Sequence, residues 1–260
     1  MSDLEYSEFA RALAGAARRV TLAAASAPQS PDDKNEGGDF DPVTAADREA
    51  EQAMRTMIEA RYPDHGIAGE EYGAVREGAE YLWSLDPIDG TRSFICGLPS
   101  WTTLIALLRN GAPLVGLIDA PMLGELYLGD GDGARLIRSS GETLLATSGC
   151  TRLGEARLAT TDPFLFEGGE AEGFERLRRA SRVARYGHDA YGYARLAAGG
   201  VDLVAESGLK PHDYNALIPV VRGAGGVIGN WRGEADFSAG QILAAATPSL
   251  FEAAVELLSA

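Results

Sequence analysis

Apolar residues at Leu4, Phe9, Leu13, Ala16 and Val20 recur at helical spacing and predict a helix over residues 3–25. A second helix is predicted from Thr44 to about Arg61. Thr44 is its N-cap, and Asp47 and Glu49 occupy the first turns, where carboxylates complement the helix dipole. Between the two, Ala27–Pro42 is rich in Pro, Gly and Asp and reads as a loop. Short apolar runs at Gly66–Ala68 and Tyr81–Leu85 predict strands. Then Trp101–Arg109, Pro113–Ala120, Glu125–Leu128 and Ala134–Arg138 predict an antiparallel meander, punctuated by turn signals at Asn110-Gly111 and Gly129–Gly133.

Beyond about Thr147 the rhythm changes. Strands predicted at Arg157–Ala159, Arg185–Gly187 and Val201–Ala205 are separated by helices near Gly173–Ser181 and Asp189–Ala198. A helix is expected after Asp213 to about Gly223, and another over Pro248–Ser259. The pattern predicts a mixed α+β and α/β chain: an α+β half over residues 1–146 and an α/β half over 147–260.

Composition narrows the function more than the fold. The chain has 260 residues, 45% hydrophobic and 23% charged, as expected of a globular protein. No apolar run reaches the roughly 18 residues of a membrane span, and the N-terminal segment lacks the apolar core of a secretion signal. The expected compartment is the cytoplasm, which suits two cysteines, Cys96 and Cys150, that form no disulfide framework. A net charge of −15 argues against duplex DNA and anionic membranes, which need basic patches. An acidic chain still binds phosphate if divalent metals supply local positive charge. His65, His188 and His212 lack zinc-ligand spacing.

Candidate chemistry lies in carboxylates. Glu70-Glu71 follows a predicted strand. Asp86 and Asp89 share the run Asp86-Pro87-Ile88-Asp89-Gly90-Thr91, and Asp213 stands at a predicted helix start. Hard divalent cations take oxygen ligands and leave positions open for water and phosphate. If Pro87 turns the chain after the strand, Asp86 and Asp89 point at one site. Gly90-Thr91 then opens a helix whose free N–H groups suit a phosphate. Each piece alone has an ordinary reading as a cap, a solvated pair or a surface residue.

Together, Glu70-Glu71, Asp86-Pro87-Ile88-Asp89-Gly90-Thr91 and His212-Asp213 resemble the inositol monophosphatase family of metal-dependent phosphatases. The resemblance runs from about Thr44 to Gly226. It implies a layered α-β-α-β-α sandwich and hydrolysis of small phosphomonoesters by metal-activated water, with two or three Mg²⁺ ions per site. Carried over by motif, Glu70, Asp86, the Ile88 carbonyl, Asp89 and Asp213 are the expected metal ligands. Thr91 and Asp47 resemble the water-activating pair, with Glu71 beside them, and Gly90-Thr91 the phosphate-binding backbone. The half over 1–146 would carry most metal ligands, and the half over 147–260 Asp213 and the substrate-selecting residues.

His212 stands where the family usually has tryptophan. The phrase Gly208-Leu209-Lys210-Pro211-His212-Asp213 looks like the histidinol-phosphate phosphatase branch. His188, Asp189 and Glu206 occupy stretches that by resemblance hold the non-phosphate end of the substrate. Two carboxylates there suit a cationic amine and imidazole better than a neutral polyol. An inositol or broad sugar-phosphate phosphatase remains the alternative on the same scaffold. From another class, so does a metal-binding regulatory protein without catalysis. The partners expected are a small phosphomonoester and a second copy in a homodimer, with neither nucleic acid nor membrane. The loop around Lys34 aligns only loosely with the family.

Overall fold

The computed structural model describes residues 3–27, 32–33 and 42–259. Most of the expected 27–42 loop, including Lys34, lies outside them. Helix α1 (Asp3–Ala25), the short paired strands β1 (Asp32–Asp33) and β2 (Pro42–Val43), and helix α2 (Ala45–Arg61) come first. Next are β3 (Gly66–Gly69), β4 (Gly73–Val75), β5 (Tyr81–Asp89), helix α3 (Thr91–Ile95) and β6 (Thr102–Arg109). Strands β7 (Ala112–Ala120), β8 (Glu125–Asp130), β9 (Gly133–Arg138) and β10 (Gly141–Leu144) complete an eight-stranded sheet in the order β10-β9-β8-β7-β6-β5-β3-β4.

The second half runs β11 (Arg157–Thr160), α4 (Gly168–Ala180), β12 (Val183–Tyr186), α5 (Asp189–Ala197) and β13 (Leu203–Glu206). It continues through α6 (Pro211–Tyr214), α7 (Leu217–Gly223), β14 (Val227–Gly229), β15 (Ile242–Ala245) and α8 (Pro248–Leu258). Its five-stranded sheet has the order β12-β11-β13-β15-β14. Residues 145–152, which join the two sheets, form neither helix nor strand.

Strand alternation explains the layers. In β6, Ile105 and Leu107 face α1 and α2, while Leu104, Ala106 and Leu108 face α5 and α7. Both faces are covered, so the strand reads as a nearly continuous apolar run. Val204, Ile242 and Ala244 of the second sheet join the α5/α7 layer, and Leu203, Leu243 and Ala245 face α4 and α8. The result is the expected α-β-α-β-α sandwich. Helix α7 lies close on the first sheet because a β-carbon at Gly116 or Gly129 would overlap the carbonyl of Ala216 or Pro219. Among the described residues, no helix is long and apolar enough to cross a membrane.

Several expected boundaries move. The strand expected at Arg185–Gly187 is Val183–Tyr186, because pairing with β11 fixes its register. Helix α4 starts five residues early, at Gly168. The single helix expected after Asp213 is two, broken at Asn215-Ala216, and Asp213 lies inside the first. The Asn215 side chain donates to Ser84 Oγ (3.2 Å), which ties the break to β5.

Candidate active site

Strand β5 carries the first two carboxylates. Trp83 and Leu85 face the α1/α2 layer, so by period two Ser84 and Asp86 face the opposite side. Asp86 and Asp89 are three residues apart and would point to opposite faces of a regular strand. The tight turn expected at Pro87 does not form. Instead the strand continues, and its register shifts: Asp86 pairs with Leu104 and Asp89 with Thr102, three steps on β5 against two on β6. That bulge resets the alternation and returns Asp89 to the face of Asp86. Pro87, which has no N–H to offer the ladder, sits within it, and its carbonyl accepts the Thr103 hydroxyl at 2.7 Å.

Gly90 follows with φ of 80°. A β-carbon there would lie 2.7 Å from Asp189 Oδ2, so both conformation and space demand glycine. Thr91 begins α3 and donates its hydroxyl to the Ile88 carbonyl at 3.0 Å. Asp213, third in α6, accepts the Lys210 N–H at 2.7 Å.

Asp86, Asp89 and Asp213 each offer an oxygen, and these oxygens all lie within 4.8 Å of one another. Asp86 is 2% exposed, and its buried Oδ1 has no hydrogen-bond partner. Burial, then the neighbouring carboxylates, holds Asp86 and Asp89 well above the usual carboxylate range. Burial also raises Asp213, against the opposing pull of His212. An unsatisfied buried oxygen inside a group of oxygen-only donors fits a hard divalent cation and does not fit zinc, which prefers nitrogen and sulfur.

Glu70 is half-buried after β3, and its N–H donates to the Leu85 carbonyl. It lies outside the three-carboxylate group, yet its charge raises both Asp86 and Asp213. Asp47 is buried at the start of α2, where Oδ2 accepts the Thr44 N–H (2.8 Å) and hydroxyl (2.6 Å). Burial pushes it up to about 6, with smaller opposing contributions from those hydrogen bonds. Among the described residues no hydrogen bond joins Asp47 to Thr91. Glu71 is half-buried, and its charge also raises Asp47.

A residue with no role in the sequence reading organises this loop. Glu51 of α2 is fully buried, pairs with Arg55 at 2.7 Å and accepts the N–H groups of Glu71 (2.8 Å) and Tyr72 (3.2 Å). A Glu-to-Arg spacing of four on an amphipathic helix looks like a solvated pair. The hint was Gly69, whose missing side chain leaves room for the Glu51 carboxylate.

Beside the carboxylate group lies a cavity of about 270 Å³. Asp89, Gly90, Thr91, Asp189, Glu206 and Asp213 all line it. Thr161, Tyr193, Arg92, Leu165 and Leu209 also line it; of these, Thr161, Tyr193 and Leu165 belong to no motif of the sequence. His188 does not line it and instead occupies the N-cap position of α5. Glu206 accepts the Thr161 N–H (2.9 Å) and the Tyr193 hydroxyl (3.1 Å), and burial pushes it up to about 7. Asp189 accepts from Ser93 Oγ at 3.3 Å and is raised by burial. It does not cap α5. That role falls to Asp89, whose Oδ2 accepts the Ala190 N–H at 2.8 Å.

The chain is 49% identical over 198 residues to a bifunctional phosphatase, IMPL2, of Arabidopsis thaliana, covering 75% of this chain and 56% of that protein. It is 34% identical over 213 residues to a histidinol-phosphatase of Chlorobaculum parvum, covering 82% and 81%. A solved inositol monophosphatase from Zymomonas mobilis superposes with a TM-score of 0.89 at 38% identity, covering 100% of both chains. The inositol monophosphatase family model matches residues 3–260, and the chain belongs to that family.

Proposed function

We propose that the chain is a Mg²⁺-dependent phosphomonoesterase that releases L-histidinol from L-histidinol phosphate. One observation carries the substrate reading: Asp189 and Glu206 line the cavity that also contains Asp89, Asp213 and the Gly90-Thr91 backbone. Of the charged residues lining it, Asp89, Asp162, Asp189, Glu206 and Asp213 are acidic and only Arg92 is basic. Such a cavity favours an ester whose leaving alcohol is a cation, and histidinol carries a protonated amine and an imidazole. The likeness to the Chlorobaculum histidinol-phosphatase supports the same reading, and that to the Zymomonas inositol monophosphatase supports the polyol rival.

Asp86, Asp89 and Asp213, with Glu70 and the Ile88 carbonyl, are the residues that would hold Mg²⁺. When bound, the ions stabilise charge on the phosphoryl oxygens and make water acidic near neutral pH. The Gly90-Thr91 backbone would receive the phosphate. The Thr91 hydroxyl, held by the Ile88 carbonyl, would orient the attacking water. Asp47, raised to about 6, is suited to accept a proton near neutral pH. Glu71 is assigned beside this pair, and Asp189 and Glu206 to the leaving group.

The test is kcat/KM for L-histidinol phosphate against inositol 1-phosphate, with and without Mg²⁺. A preference for histidinol phosphate that requires Mg²⁺ is expected. A preference for the inositol ester would overturn the substrate reading, and no phosphate release from either would favour the non-catalytic metal-binding alternative.

A further inference from the structure

We propose that Glu125 is a positioning residue for leaving-group selection: from the first sheet it holds helix α5 so that Asp189 faces the carboxylate group. Asp189 has φ of 46°, in the left-handed region, where a non-glycine residue persists only when its surroundings hold it. Two sets of contacts impose it. At the N-terminus of α5, Asp89 holds the Ala190 N–H at 2.8 Å. At the next residue, Tyr191 donates its hydroxyl to Glu125 Oε2 at 3.1 Å.

Glu125 is the first residue of β8 and is 9% exposed. The same Oε2 accepts the Tyr127 hydroxyl at 2.5 Å, and Arg195 of α5 donates to that hydroxyl at 3.4 Å. Arg138 of β9 neutralises the other oxygen at 2.5 Å. Tyr191 and Arg195 are four residues apart and so lie on one face of α5. A single carboxylate therefore adds, directly and through Tyr127, a polar tether to a helix that also packs through buried Ala190, Tyr193, Ala194 and Leu196 and whose first residue lines the cavity. Replacing it with an apolar residue leaves two tyrosine hydroxyls without their acceptor. The helix loses this tether on one face, while its apolar packing and the bond from the Ala190 N–H to Asp89 remain.

This inference rests on the reading that Asp189 contacts the leaving group. It is tested with the full chain and Mg²⁺ by measuring kcat and KM for L-histidinol phosphate and for p-nitrophenyl phosphate. Glu125→Leu should raise KM for histidinol phosphate about tenfold, as loss of one charge-assisted contact would. For p-nitrophenyl phosphate kcat/KM should stay within about twofold. Glu125→Gln, which retains an acceptor for the tyrosines, should recover most of the loss. In an Asp189→Asn background, Glu125→Leu should have little further effect on histidinol phosphate.

Equal losses on both substrates, or an undiminished Glu125→Leu effect in the Asp189→Asn background, would overturn the positioning role. If the wild type prefers another ester, the substrate reading fails by itself. The same ratio and cycle taken with that preferred ester then decide the role of Glu125.

Discussion

Buried carboxylates occur in two kinds of place in this molecule, and the chain treats them differently. Away from the cavity each faces an arginine: Asp119 pairs with Arg18, Glu51 with Arg55, Glu125 with Arg138 and Asp202 with Arg157. Hydrogen bonds from Arg157 and Ser148 outweigh burial and hold Asp202 below the usual carboxylate range. Around the cavity, Asp47, Asp86, Asp89 and Glu206 form no ion pair with arginine or lysine among the described residues, and burial drives each of them up. A buried charge without a partner is costly. Its retention at one place, in a group of oxygen donors, marks where positive charge is to come from outside the chain.

Opposite responses to the same kind of substitution would show this most strongly. Asp86→Asn should lower kcat/KM roughly a thousandfold, about 4 kcal/mol of transition-state stabilisation. In chelator at pH 8 the same change should raise Tm, because it removes an uncompensated buried charge. Asp119→Asn should do the reverse: a loss of about 2–4 kcal/mol of stability with or without Mg²⁺, and little effect on kcat. Calorimetry and a phosphate-release assay check both. A fall in the metal-free Tm of Asp86→Asn equal to that of Asp119→Asn would erase the distinction.

A second contrast separates binding from chemistry. Thr91→Ala should reduce kcat by about 10²-fold while calorimetric Mg²⁺ affinity stays near wild type. Unchanged kcat would leave Thr91 as no more than the first residue of α3. Asp189→Asn should raise KM for L-histidinol phosphate by about an order of magnitude and hardly alter p-nitrophenyl phosphate. A residue acting only on helix stability would alter neither selectively.

The parts of this arrangement legible in the sequence are those written in contiguous residues. Thr44 and Asp47 announce the start of α2, and Asp86 to Thr91 announce the carboxylate pair. The meander was readable because its turns are marked by Asn110-Gly111 and by glycines. What stayed hidden depends on contacts between distant residues. Asp89 and Ala190 are 101 positions apart, so the capping of α5 by a candidate metal ligand leaves no local trace. The bulge at Pro87 is set by register with β6, and from the sequence alone a tight turn satisfied the same residues. The helix break at Asn215-Ala216 was partly legible, because Pro219 has no N–H for the Asn215 carbonyl, whereas the tie from Asn215 to Ser84 was not. Strands β14 and β15 are three and four residues long and paired with each other, too short for an alternation to show.

A third contrast is in pH dependence. Glu206 is raised from 4.5 to about 7, so between those values the folded chain binds more protons than the unfolded one. Its contribution is fully present below pH 4.5 and is lost as pH rises through 7, a swing of about 3 kcal/mol. Asp202, lowered by its partners, contributes with the opposite sign: its stabilisation is present above 3.8 and is lost as pH falls. Stability of the metal-stripped protein measured from pH 4.5 to 8 should therefore decline less in Glu206→Gln than in wild type. Parallel curves would place the Glu206 shift elsewhere.

The most direct test of the contrast is phosphate release from L-histidinol phosphate by the exhaustively metal-stripped protein as Mg²⁺ is added back. The unpaired carboxylates predict no turnover in chelator and a saturable rise with Mg²⁺. Full turnover in excess chelator would contradict the account.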